Sequence, residues 1–297
     1  MKKESLIMFC RVIEEGSISQ AARTSFISQP AVTSQIRQLE KHYGVALFDR
    51  KAGKLKLTEA GSTLYPYAKE IIDNYKRSEE AVKSIANKDA GTLNIGASLT
   101  IGEYLLPRIL GDFQKEHKNL KFKLTIGNTP STISSLESRD IDIALVEGAF
   151  LHDEDFKIEK FAEDQLILIV SNDHRWSDRD EIEIEELIEE KMIWREENAG
   201  IRKIVERVLE ENNTLDKVRS YMELSSTQSI KSAVEAGLGI GIIPKLSVLR
   251  ELELGVLKQV SISGIELIRD LWLVELPSRF PKRSMDAFIA YLKKVTM

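Results

Sequence analysis

Apolar residues at Leu6, Phe9, Cys10, Val12 and Ile13 recur at helical spacing and predict an amphipathic helix, with Gly16 as its stop. Ser17 or Ser19 can cap a second helix, whose Ala21-Ala22 pair lets a neighbouring helix approach closely. Ser28 is an N-cap candidate ahead of Pro30, which does no harm in a first helical turn. A third helix then runs through Ala31, Val32, Ile36 and Leu39, and its other face carries Thr33, Ser34, Arg37 and Gln38. Leu47-Phe48-Asp49-Arg50-Lys51 leads through Gly53-Lys54 to the alternating Leu55-Lys56-Leu57, which predicts a basic two-stranded wing. Two helices joined by a short turn, the second polar and basic outside, match a helix-turn-helix. Short hydroxyls and a guanidinium are the groups that reach phosphates and base edges in a major groove. A packed helical bundle that never meets nucleic acid has the same periodicity.

From residue 58 to about 88 a single helical pattern follows. Leu64, Ala68, Ile71, Tyr75, Ser78, Val82 and Ile85 step alternately by four and three, a heptad seam weakened at Ser78. About 30 helical residues span ~45 Å, too long a rod for a small head to cover, so a partner helix is the expected cover. Packing on the chain's own body is the alternative. Pro66 lies two turns in and is expected to bend the rod without ending it.

After Asn87-Lys88-Asp89-Ala90-Gly91, a candidate hinge, the period changes. Strands are predicted over 92–97, 122–126, 141–146, 166–170 and 271–276, and helices over 101–114, 131–138 and 285–294. The run at 166–170 is apolar throughout, as in a strand buried on both faces. Strands alternating with helices argue parallel α/β layers, and about 200 residues leave room for two lobes.

Charge separates head from body. Residues 1–60 hold ten Lys/Arg and six Asp/Glu, a net of +4, so residues 61–297 hold −9 of the chain's total of −5. A cationic head on an anionic body suits a phosphate-contacting module. Cys10 is the single cysteine, which excludes an intramolecular disulfide and a cysteine-based zinc cluster. Its place on the first helix's apolar stripe argues for core packing. His42, His117, His152 and His174 lie far apart, so no metal site is expected. Neither a cofactor nor a catalytic residue is indicated. Gly237, Gly239 and Gly241 lead into Ile242-Ile243-Pro244 and not into a helix, which reads as a helix end feeding a strand, not a dinucleotide loop. No apolar run approaches the ~18 residues of a spanning helix, and acids at Glu14 and Glu15 come too early for a signal peptide. A cytoplasmic protein without a membrane partner is expected.

Ala21-Ala22, Ser28-Gln29-Pro30-Ala31-Val32, Leu39-Glu40, Leu47-Phe48-Asp49-Arg50 and Leu57-Thr58-Glu59-Ala60-Gly61 resemble the N-terminal module of LysR-type transcriptional regulators. The resemblance implies an α/β protein with an N-terminal winged helix-turn-helix (1–58), a long linker helix (59–90) and a two-lobed periplasmic-binding-protein-like effector domain (91–297). Its lobes would be 91–160 with 266–297, and 161–265. Gln29, Pro30, Thr33 and Ser34 would supply base contacts, and Arg37 a base or phosphate contact. The family often has a basic residue where this chain has Gly53, so the wing contact would rest on Arg50 and Lys54. The linker would pair two chains through Leu64, Ala68, Ile71, Tyr75, Val82 and Ile85, giving a homodimer or tetramer on a palindromic stretch of double-stranded DNA.

The effector expectation begins with helix starts. Ser98-Leu99-Thr100, Asn128-Thr129-Pro130, Asn198-Ala199-Gly200 and Ser225-Ser226-Thr227 each precede a predicted helix with a hydroxyl or amide cap. In open α/β sheets such turns gather at the carboxyl edge, and their N–H groups favour an anion. Arg195 and Arg202 flank one start and could clamp a carboxylate or other oxyanion. Taken singly, each Ser or Thr also reads as an ordinary cap. Val146-Glu147-Gly148, Arg195-Glu196-Glu197-Asn198-Ala199-Gly200-Ile201-Arg202 and Glu223-Leu224-Ser225-Ser226-Thr227 resemble the branch that includes regulators of sulfur assimilation and carbon-dioxide fixation. Its effectors tend to be small anions. Ile201 stands where that branch usually has threonine. Glu147 could repel a second anion, orient Arg195 or Arg202, or recognise an amine. The expected small-molecule site comprises Ser98, Thr100, Thr129, Glu147, Arg195, Asn198, Arg202, Ser226 and Thr227.

The leading expectation is therefore a DNA-binding regulator modulated by a small anionic effector. Two others remain: a solute-binding module with a protein-interaction head, and an α/β enzyme acting on a small anion.

Overall fold

The computed structural model describes residues 2–49, 55–86, 91–148, 155–277 and 282–296. The chain divides into two compact units, Met1–Lys88 and Asp89–Met297.

In the first unit, α1 (Lys3–Glu14), α2 (Ile18–Thr24) and α3 (Gln29–Tyr43) precede a two-stranded ladder of β1 (Phe48–Asp49) and β2 (Lys56–Leu57). Ser17 caps α2 by accepting from the Gln20 amide at 3.0 Å, and Gly44 closes α3 in the left-handed conformation. Leu6, Phe9, Val12, Ala21, Val32, Ile36 and Leu39 form the core, so the three apolar stripes meet. Gly61 is fixed by close approach: a Cβ there would lie 2.2 Å from the Leu47 carbonyl oxygen.

The long helix α4 (Glu59–Ala86) runs uninterrupted through Pro66. Its expected seam is divided. Leu64 and Ala68 are buried in the head's own core together with the partly buried Ile72, whereas Ile71, Tyr75 and Val82 are exposed. Leu64 and Ala68 are thus corrected from partner contacts to head core, because α4 starts directly behind the wing and covers the stripe of α1. Lys3 fixes the same pairing, with its Nζ 3.3 Å from the centre of the Tyr75 ring and 3.6 Å from Glu79. The Ile85 side chain, the 87–90 part of the candidate hinge, Arg50 and Lys54 lie outside what is described.

The second unit has two lobes sharing two long strands. Its elements are β3 (Gly91–Ser98), α5 (Leu106–Glu116), β4 (Leu120–Gly127), α6 (Thr129–Glu137), β5 (Ile143–Glu147), β6 (Lys157–Ser171), β7 (Glu181–Ile182), β8 (Lys191–Arg195), α7 (Gly200–Glu211), β9 (Arg219–Leu224), α8 (Thr227–Glu235), β10 (Ile240–Pro244), α9 (Leu249–Glu253), β11 (Leu257–Ile262), β12 (Leu267–Glu275) and α10 (Arg283–Thr296). The strand order is β4-β3-β5-β12-β6-β10-β8-β9, and β11 pairs with β6 and β7. The β3, β4 and β5 strands are mutually parallel, as are β10, β8 and β9. The antiparallel pair β6 and β12 joins the two sets.

Each lobe is a sheet covered on both faces. In the first, Leu93, Ile95, Phe113, Phe161, Leu271 and Phe288 pack α5 and α10 on one side, and Leu136, Ile141 and Val146 pack α6 on the other. In the second, Trp194, Ile201, Val205 and Leu209 pack α7 while Ile169, Ile193, Ile230 and Val234 pack α8. The sequence predicts β6 only over 166–170. The strand starts nine residues earlier because its first half, rich in Lys and Glu, is also paired to β12. The glycine run resolves as expected: Gly237, at φ +72°, follows the end of α8, and β10 begins at Ile240.

Candidate functional site

The first candidate surface lies on the head. Ser28 caps α3 by accepting from the Ala31 amide at 3.4 Å, and Pro30 occupies the first turn. The buried sequence Val32, Ile36, Leu39 pins one face of α3 to the core, so the intervening residues must point away from it. Gln29, Pro30, Thr33, Ser34 and Arg37 accordingly line one shared surface depression. The Thr33 hydroxyl donates to the Gln29 carbonyl at 3.1 Å, and Arg37 is exposed. A neighbouring depression, lined by Lys2, Ser5, Gln38, Leu39, Lys41 and His42, adds two lysines that the sequence pattern did not single out. The two wing residues of the expected set, Arg50 and Lys54, are outside the described residues.

The second candidate surface is the carboxyl edge of β3, β4 and β5. Register places Ser98 beside Gly127 at the ends of β3 and β4, and Glu147 ends the adjacent β5. Thr129, at the start of α6, donates its hydroxyl to the Glu147 carbonyl at 3.1 Å, and Asn128 caps that helix. The Glu147 carboxylate accepts from Thr100 at 3.4 Å. Four of the expected residues, Ser98, Thr100, Thr129 and Glu147, therefore gather at one edge.

Two of them, Thr100 and Glu147, meet Arg269 of β12, which the sequence pattern did not single out. Its Nη1 lies 3.1 Å from Glu147 Oε1, and its Nη2 donates to Thr100 Oγ1 at 2.9 Å. Its Nε and Nη2 also donate to Asp164 Oδ2 of β6, at 3.0 and 2.6 Å. Glu147 thus orients Arg269, not Arg195 or Arg202. Thr100 does not cap the helix that follows, since its hydroxyl is taken up here; a π-helical turn, Ile101–Leu105, intervenes before α5. Such turns frequently accompany functional sites.

Arg195, Arg202 and Thr227 form a separate cluster in the second lobe. Arg195 is buried, donates to both oxygens of Glu196 at 2.8 Å, and donates to Thr227 at 3.2 Å. Arg202 donates to Glu206 at 2.6 Å, to Glu223 at 2.7 Å and to the Arg195 carbonyl at 3.0 Å. The Arg195 guanidinium holds the Glu196 carboxyl below its usual range. Both arginines are already matched by carboxylates, so an oxyanion clamped here would have to displace one. Asn198 is exposed and does not cap α7, whose N-cap is Ala199 with no side-chain acceptor. Ser226 does cap α8, accepting from the Ser229 amide at 3.1 Å.

Among the described residues there is no cluster of three or more His, Cys, Asp or Glu that could hold a metal ion, and no helix long and apolar enough to cross a membrane.

Residues 4–62 match the family described as bacterial regulatory helix-turn-helix protein, lysR family, and residues 86–296 match the LysR substrate binding domain. A protein of Cyanidioschyzon merolae described as "Probable RuBisCO transcriptional regulator" is 33% identical over 295 residues, covering 98% of this chain and 97% of that one. Two solved structures share the fold. Full-length CbnR in complex with its target DNA superposes with a TM-score of 0.70 at 20% identity, covering 99% of each chain. The regulatory domain of CcmR from Synechocystis PCC6803, in complex with 2-PG, has a TM-score of 0.62 at 24% identity, covering 69% of this chain and 97% of that one.

Proposed function

The chain belongs to the LysR family and is a transcriptional regulator with an effector-binding domain, and on that premise we propose that α3 reads the major groove while a small anion bound at the carboxyl edge of β3 and β5 sets the regulator's state on DNA. The observation that carries this reading is the shared face of Gln29, Pro30, Thr33, Ser34 and Arg37, where short hydroxyls, an amide and one guanidinium stand together on an exposed helix start. Gln29 and Ser34 approach base edges, and Arg37 adds a base or phosphate contact. Arg50 and Lys54 supply charge from the wing.

The exposed Ile71, Tyr75 and Val82 pair α4 with a second copy, as a homodimer that presents α3 twice. Regulation, not catalysis, is its role. The anionic effector draws support from CcmR, whose structure holds 2-PG, and from the start of α6 at the same strand edge, where helix N–H groups favour an anion. A ligand alters the response only if it binds one arrangement of the lobes more tightly than the other.

Two measurements test the reading. Gel-shift titration on a protected genomic site should show a log–log salt slope that falls by about one when Arg37 is replaced by Ala, as for one lost phosphate contact. A thermal-shift screen of small anions should yield hits that Thr100→Ala weakens. DNA affinity without salt dependence, or hits indifferent to Thr100, would reject the respective half.

A further inference from the structure

The residues around Arg269 leave one carboxylate oxygen unanswered. Glu147 Oε1 receives Arg269 Nη1 and Thr100 Oγ1, but Glu147 Oε2 is buried without a hydrogen-bond partner. The Ser98 hydroxyl, on a residue only 2% exposed, is likewise buried and unpartnered. The two lie on adjacent parallel strands but leave opposite faces of the sheet: Ala97 is in register with Leu145 of β5, so Ser98 stands beside Val146 and Glu147 follows one residue later. The orphaned Glu147 oxygen is costly in the folded protein unless something completes it.

Charge decides what that something is. One guanidinium, Arg269, faces two carboxylates, Glu147 and Asp164. A further anionic oxygen brought to Oε2 would meet net negative charge at short range and low dielectric. An ionised carboxylate oxygen only accepts. The complement to Glu147 Oε2 is therefore a group with a proton to give.

We infer that Glu147 selects, among small anionic effectors, those carrying a hydrogen-bond donor, a hydroxyl or an ammonium, beside the acid group, with Glu147 Oε2 as its acceptor. This rests on the effector reading above and adds a condition to it: an anion alone does not suffice. Arg269 does not compete for this role, because its hydrogen bonds already go to Asp164, Thr100 and Glu147.

The test uses ligands of one skeleton that differ at one carbon: succinate, L-malate and L-aspartate, and in parallel 3-phosphooxypropionate, 3-phosphoglycerate and O-phosphoserine. Isothermal titration with the full chain should show a donor-bearing member binding at least about tenfold tighter than its hydrogen counterpart, as expected where a buried acceptor would otherwise stay unpaired. Malate and 3-phosphoglycerate report a hydroxyl, and aspartate and O-phosphoserine an ammonium. Glu147→Ala should bring the ratio close to one, and Glu147→Gln, which keeps the shape, should abolish any preference for ammonium. If the hydrogen counterparts bind as well as the donors, or the preference survives in Glu147→Ala, the inference fails while the anion reading stands. If none of the six binds, the anion reading falls and takes the inference with it.

Discussion

Asp164 and Arg269 face each other in register across β6 and β12, and two nitrogens of the guanidinium converge on a single carboxylate oxygen at 3.0 and 2.6 Å. Both side chains are almost wholly buried, at 1% and 2% exposure. The pair sits on the strands shared by the two lobes and reaches from there to Thr100 and Glu147. Removing Asp164 leaves Arg269 buried with Glu147 as its remaining carboxylate, and removing Arg269 leaves Asp164 buried without its cation; breaking a buried pair typically costs roughly 3–5 kcal/mol. Asp164→Ala should therefore lower the stability of the effector domain by several kcal/mol in urea unfolding. The double variant Asp164→Ala/Arg269→Met should cost less than the sum of the two single variants. Strict additivity would mean that the two groups do not act as a pair.

The division of the α4 stripe makes opposite predictions for neighbouring turns. Leu64 is buried in the head, so Leu64→Ala should destabilise that unit by about 2–4 kcal/mol, the range for a large-to-small change in a core. Ile71 and Val82 are 43% and 67% exposed in the single chain. Ile71→Glu combined with Val82→Glu should leave the head's thermal transition nearly unchanged and convert a dimer into monomers by light scattering. Unfolding of the head by the glutamates, or an intact dimer, would show that this face is not the seam.

How much of this was legible beforehand depends on whether a local rule and the tertiary structure agree. The α3 face was legible because Val32, Ile36 and Leu39 fix the rotation of the helix, and the polar residues between them follow from the 3.6 period. The α4 seam was legible only in part. A heptad reports that a stripe will be covered, not by what, and α1 took its first turns. Arg269 was missed because the strand was read only from Leu271, past the charged Arg269 and Asp270, whereas β12 begins at Leu267. Yet Leu267, Arg269 and Leu271 are all buried and share one face at period two, a signal that alternation alone contained. Asp164 and the first half of β6 were hidden by their charges, which pair across β12 and not within any local pattern. The start of α7 failed differently: Asn198 looked like a cap, but the helix begins two residues later, behind Ala199.

Cys10 couples the head's stability to alkaline pH. Burial chiefly, with Glu14 adding to it, pushes the thiol from 9.0 up to about 11. The folded head therefore favours the protonated thiol. The stabilisation this gives is complete below the unfolded value of 9.0 and is lost as pH rises toward about 11, because only the unfolded chain releases the proton in that window. A two-unit difference corresponds to about 2–3 kcal/mol. Wild-type protein should lose more stability between pH 8 and pH 11 than Cys10→Ala does, by an amount of that order in urea unfolding. In the native state the thiol should also resist alkylation at pH 8 until urea exposes it. An identical pH dependence for the two proteins would count against a buried, neutral thiol.

Phe26 stands at the turn between α2 and α3 with two features that oppose its chemistry. Its φ is +55°, a left-handed conformation that costs a side chain with a Cβ about 1–2 kcal/mol and that asparagine tolerates better. Its ring is 95% exposed, so no packing offsets that cost within the chain. The turn joins α2 to α3 while Ala21 and Ala22 of the one and Val32 of the other stay in a single core. Phe26→Asn should therefore raise the head's unfolding free energy by about 1 kcal/mol, read as a shift in its thermal midpoint. A lower midpoint would mean that the ring is held by contacts the backbone strain conceals. Gel shifts on the same variant separate stability from recognition: unchanged DNA affinity confines the effect to the turn, whereas a loss would place the ring against DNA beside Gln29.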